Sequence, residues 1–273
     1  MAIVAYGDES YNPADSGGYI ISAWVADRDQ WTDFCGRWQA ALNDSGAPYL
    51  HMRELSEDAI AKLEPGQPFH GWTTTPGGDV DRFVNRMIPV IRNRAIFGIT
   101  CAIESARYDE VPLAARGNCK SPYVFAFRMF FEAMLKVLSG ETNLGWKLPA
   151  NEQCSVIMDQ VDYAVAEEAH RAFDQMKVLK PDAHKFGTLA FTPSRPASKE
   201  IASCHALPLQ AADLLANRMF KRYKREIEKG DTIIWGWDRA LKANENLMIA
   251  HLGKDRIIEF AEHVENMRRE NAP

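Results

Sequence analysis

The apolar positions along the chain follow two periods. Near the N-terminus, "AIVAYGDE" and "GGYIISAWVAD" are short runs rich in Ile, Val, Tyr and Trp, which suit a pleated, buried surface and predict two strands. The "SYNPADSG" between them is made of turn formers and predicts an antiparallel hairpin. The spacing then changes to three and four. Trp31, Phe34, Cys35, Trp38 and Leu42 share one face and predict a helix over about 29–43. From 46 to 78 the period is lost; Pro and Gly recur, and "GQPFHGWTTTPGG" closes a stretch expected to be an insertion or mobile loop. A helix over about 80–93 and a third strand in "AIFGITCAIES" follow. "YVFAFRMFFEAMLKVL" is apolar almost all round and predicts a buried helix. A strand in "QCSVIMDQ", an amphipathic helix in "YAVAEEAHRAFDQMKVL" and a fifth strand in "GTLAFTPS" come next. "LPLQAADLLANRMFKRYKREIEK" predicts a long helix, with Pro208 tolerated in its first turn. Residues 235–273 are expected to form a C-terminal helical extension. No repeat, low-complexity tract or linker divides the chain, so residues 1–273 read as one domain.

Three strands followed by alternating helices and strands imply an α/β fold: a mixed five-stranded sheet flanked by helices, in the order of the ribonuclease H-like fold. The 273 residues, 46% hydrophobic and 25% charged, can bury a sizeable core. The net charge of -5 argues against non-specific coating of nucleic acid, so a nucleic-acid or nucleotide substrate would meet only a local basic face. Five scattered cysteines, none in a Cys-x-x-Cys pair, suggest neither a disulfide framework nor a zinc site, and fit a reducing cytoplasm. No signal-peptide pattern is visible, and the apolar runs are too short to span a bilayer, so no membrane partner is expected. Oligomeric state is open.

Carboxylates stand where this order of elements needs them. Asp8 and Glu9 end the first strand, Asp159 ends the fourth, and Asp213 lies on the helix after the fifth. In a ribonuclease H-like sheet the first and fourth strands are neighbours and the late helix crosses their ends. Converging carboxylates repel unless a cation neutralises them, and hard oxygen donors suit Mg2+ or Mn2+. Asp8, Asp159 and Asp213 are therefore the expected ligands of one or, more fully, two such ions, with Glu9 a further ligand or base. Two ions about 3.5–4 Å apart would serve the attacking and leaving oxygens of a phosphodiester. Ordinary readings stand beside these. Asp8 and Glu9 suit a hairpin turn, and Asp159 suits the turn before a helix that Asp162 would cap. Asp213 is harder to explain away. Its neighbours at helical spacing, Leu209, Gln210, Ala216 and Asn217, include no basic residue.

On a helical wheel Gln210, Asp213, Asn217, Lys221 and Lys224 share a face, opposite Ala212, Leu215, Met219 and Tyr223. Gln210 is expected to orient a ligand or phosphate, and Lys221 and Lys224 to hold a phosphate backbone, or else to form a solvated basic helix end. His51, three residues before Glu54, is a candidate proton shuttle beside the substrate. Arg128, Glu132 and Lys136, spaced by four, read as an ion-paired solvated stripe. Glu104 ends the third strand, Trp235 and Trp237 suit packing or base stacking, and Cys204-His205 lacks a triad partner.

The local words say more than the spacings. "YGDESYN" near the start and "LPLQAADLLAN" near the end, with "SPYVFAFRMFFEAML" and "SVIMDQ" in order between them, resemble the paired signatures of a bacterial and phage-associated family. It is the domain-of-unknown-function family numbered thirty-eight hundred, marked by an N-terminal Asp-Glu and a C-terminal Gln-x-x-Asp. The resemblance covers nearly the whole chain and implies a ribonuclease H-like fold. It carries Asp8, Glu9, Gln210 and Asp213 over as site residues, with Asp159 by its place on the fourth strand. The long 46–78 stretch departs from the pattern. The expected activity is metal-dependent phosphodiester hydrolysis. The alternatives are an inactive binding module of a defence or mobile-element system, and a hydrolase of a small nucleotide.

Overall fold

A computed structural model of the chain describes residues 2–11, 18–93, 95, 97–103, 108, 121–142, 146–194, 205–229 and 247–252. Strand β1 (Ile3–Tyr11) pairs antiparallel with β2 (Tyr19–Asp27), and β2 with β3 (Phe97–Ile103). On its other side β1 pairs parallel with β4 (Cys154–Asp159), and β4 with β5 (Phe186–Thr192). These five strands make a mixed α/β sheet of ribonuclease H-like order. A sixth strand, β6 (Leu247–Leu252), adds parallel to the outer edge of β3, giving β5-β4-β1-β2-β3-β6. Helix α1 (Arg28–Ser45) follows β2; α2 (Glu57–Ile60) and α3 (Asp79–Arg92) precede β3. Helix α4 (Pro122–Ser139) leads to β4, α5 (Tyr163–Leu179) to β5, and α6 (Ala206–Lys229) follows β5.

Strand alternation divides the core in two. Ile3, Ala5, Ile21, Ala23, Phe97, Ile99, Val156 and Met158 face α4 and α5. Phe125, Phe127, Phe130, Phe131 and Phe173 complete that layer, and burying each such ring is worth roughly 1.5–3 kcal/mol. Tyr6, Ile20, Trp24, Ala26 and Ala102 face α1, α3 and α6 on the other side. Trp24 packs against β3 at position 98, where only glycine leaves room; a Cβ there would come within 2.4 Å of the indole.

The helix ends are set locally. Asp27 and Gln30 close a reciprocal capping box at the start of α1, and Gly46, at φ 64°, ends it. Ser121 accepts a hydrogen bond from the Val124 amide, and Pro122 opens α4. Asp162 stands at the N-cap of α5 as expected, but makes no side-chain cap bond.

Several expectations need correction. The segment 235–273 is not wholly helical: Leu247–Leu252 is a strand, recruited because the edge of β3 offers unpaired backbone groups. The 46–78 stretch is folded down on α6, with Leu50, Met52, Leu55 and Phe69 buried and α2 within it. Arg128 and Glu132 are not a solvated stripe. Both are buried, and Glu132 pairs with Lys180 at 2.5 Å rather than with its own helix. Among the described residues Cys35, Cys101 and Cys154 form no disulfide. Among the described residues no helix is long and apolar enough to cross a membrane.

Candidate active site

The site is built by the parity of the strands. In β1, Val4 and Tyr6 face α6 while Ile3 and Ala5 face α4, so Asp8 faces α6 and Glu9 faces α4. In β4, Ile157 faces α6 and Met158 faces α4, so Asp159 faces α6. Gly7 lies opposite Met158 across the parallel ladder, and one further step brings Asp8 beside Asp159. Gly7 is required there, since a Cβ would stand 2.5 Å from the Met158 sulfur. Helix α6 packs on β1 and β2 and carries Asp213 over the same face.

Asp8 and Asp213 are buried, at 7% and 8% exposure. Burial, then the charges of Asp213, Glu9 and Asp159, push the Asp8 carboxyl well above its usual range; the Glu9 amide, donating at 2.8 Å, pulls the other way. Glu9 is pushed up to about 8, chiefly by burial and then by Asp159 and Asp213. Its Oε2 is buried with no hydrogen-bond partner among the described residues.

The other two carboxylates hold backbone. Asp213 Oδ2 accepts from the Met52 amide at 2.7 Å. Asp159 accepts from the Gln160 and Ser194 amides at 2.8 and 2.7 Å, and from the Ser194 hydroxyl at 2.7 Å. Among the described residues no group of three or more His, Cys, Asp or Glu is already disposed to hold a metal ion. The donor chemistry nonetheless fits a hard divalent cation: every candidate donor is a carboxylate oxygen, Glu9 Oε2 is unsatisfied, and the charges repel.

Gln210 takes a different part from the one expected. Its Oε1 accepts from the Trp38 indole and the Leu50 amide, both at 3.0 Å, tying α1 and the 46–56 segment to α6. It is 1% exposed, and its Nε2 has no hydrogen-bond partner among the described residues. The polar stripe of α6 is thus covered over its first three turns instead of lining an open groove. Lys221 is exposed and Lys224 half-buried on the later turns, roughly 12 Å or more along the axis from Asp213, and both have interactions of their own within the chain.

His51 is half-buried, one residue before Met52, and its Nδ1 lies 3.9 Å from Glu54 Oε1. Tyr49 donates to Glu54 Oε2 at 2.6 Å and fixes that carboxylate. His205 shares a 2.7 Å hydrogen bond with Tyr6. Glu104, Cys204, Trp235 and Trp237 lie outside the described residues.

The sequence reading missed Trp38, Ser194 and Tyr123. Trp38 reads as one more apolar position of α1, and its indole N–H need is invisible in the period. Ser194 is an ordinary loop residue until β5 sets it against Asp159. Tyr123 had a signal: a buried tyrosine must settle its hydroxyl.

The chain matches no protein-family model and no curated protein.

Proposed function

We propose that this protein hydrolyses phosphodiesters with the help of divalent metal, in the manner of a nuclease. One observation carries the reading. Asp8 is buried where Asp213, Glu9 and Asp159 all act on it electrostatically, an arrangement that a cation would relieve. Asp8, Asp159 and Asp213 would hold Mg2+ or Mn2+, with Glu9 beside them. When bound, one or two such ions neutralise the carboxylates and stabilise charge on the reacting phosphate oxygens. Met52 and Ser194 would hold Asp213 and Asp159 in place through their hydrogen bonds. Gln210 positions the site by clamping the segment that carries Met52. His51, steered by Glu54 and Tyr49, would pass a proton to the leaving oxygen. Lys221 and Lys224 would hold the phosphate chain of a nucleic-acid or nucleotide substrate. Membership of the domain-of-unknown-function family numbered thirty-eight hundred belongs to the same proposal, on the Asp-Glu and Gln-x-x-Asp words.

A second reading has its own support. Asp159 and Asp213 already satisfy backbone donors, as they would in a binding module without turnover. The deciding experiment offers labelled RNA, DNA and mononucleotides to the protein with Mn2+, Mg2+ or EDTA, beside Asp159→Ala. Metal-dependent cleavage that is lost in the folded variant is the expected result. No cleavage, with no rise in Tm on adding Mn2+, leaves the binding module standing.

A further inference from the structure

One hydroxyl beside the carboxylates has no use in that scheme. Tyr123 is 7% exposed, and its phenolic oxygen has no hydrogen-bond partner among the described residues. Buried tyrosine hydroxyls normally find one. Tyr123 is the second residue of α4, behind the Ser121 cap and Pro122. Helical side chains lean toward the N-terminus, so the ring is carried toward the helix start. Burial and the nearby charges of Glu9 and Asp8 keep the phenol protonated, and so able to donate. Glu9 faces α4, and its Oε2 is also buried without a partner among the described residues. Two unsatisfied polar atoms therefore flank the α4 side of the strand end. The N-terminal end of an 18-residue helix adds partial positive charge there.

We infer that Tyr123 and the first turn of α4 form a subsite for a phosphoryl oxygen of the ligand, on the face of the sheet opposite Asp213. The inference rests on the reading that the ligand is a phosphate ester. It supplies what four carboxylates lack: a neutral donor and a positive helix end, against which an anion can rest.

Tyr123→Phe deletes only the hydroxyl and keeps the ring against Phe127. Short fluorescein-labelled RNA and DNA strands, titrated in Ca2+ and read by anisotropy, report binding without requiring turnover. The variant should bind about 3- to 10-fold more weakly, as loss of one hydrogen bond implies. Where cleavage is measurable in Mn2+, KM should rise by the same factor with kcat within about twofold. Its ligand-free Tm should not fall, since an unsatisfied buried group is removed. Unchanged binding and KM overturn the subsite. So does a lower Tm with unchanged binding, which makes the hydroxyl a structural partner of Glu9. A wild type that binds none of the probes overturns it as well. A wild type that binds but never cleaves sinks the hydrolytic proposal alone, and the binding comparison still decides the role of Tyr123.

Discussion

Asp8 and Glu9 are adjacent in sequence yet serve opposite faces of the sheet, because successive strand side chains alternate. Both carboxyls hold protons more tightly in the folded chain than in the unfolded one. From about pH 4.5 to about 8 the folded state therefore keeps protons that the unfolded state has released, and stability falls as pH rises through that window. A metal-free melting series should show Tm declining toward pH 8, and Glu9→Gln should flatten the upper part of the decline. A rising Tm over the same range would contradict the crowding of charge described here. On the proposed metal binding, Mn2+ must displace those protons, so the stabilisation it brings should grow with pH. Asp213→Asn keeps an oxygen for the Met52 amide while removing one charge. It should raise the metal-free Tm, by about 2 °C if roughly 1 kcal/mol of repulsion is relieved, and abolish the Mn2+ response.

Among the elements, α6 joins the two halves of the site. Its Gln210 accepts from Trp38 of α1 and from Leu50 of the 46–78 segment. Gln210→Leu strands both donors in the core, which should cost about 2–4 kcal/mol and lower the denaturation midpoint without changing the slope. The proposed hydrolytic activity should persist in part at low temperature, because the variant removes a clamp and leaves the carboxylates. The contact between β1 and β4 is equally tight. Gly7→Ala drives a methyl against Met158 and the Ser22 carbonyl, and a loss of about 1–3 kcal/mol is expected in the same measurement. An unaltered midpoint would mean that Met158 yields without cost.

Across the whole molecule, the net charge of -5 governs how a polyanion is met. With Lys221 and Lys224 as the cationic contacts, binding to nucleic acid should weaken only gently with salt. The slope of log K against log salt should be about -2, and about -1 after Lys221→Ala. A slope several times steeper would place the binding surface elsewhere on the protein.

The sequence by itself determined the elements of the sheet and most of its helices, because each announces its period: Ile and Val in short runs for β1 and β2, Trp31, Phe34 and Trp38 at helical spacing for α1. It also made Asp8, Asp159 and Asp213 candidates, since strand-end acids and a helix acid with no basic residue at helical spacing are local features. Only the tertiary structure decided what those residues touch. Gln210 meets Trp38 across 172 positions of chain, and Asp213 meets Met52 across 161. Such pairs depend on how layers pack, and no local period encodes them. The same holds for Leu247–Leu252, whose strand exists because the edge of β3 was there to receive it.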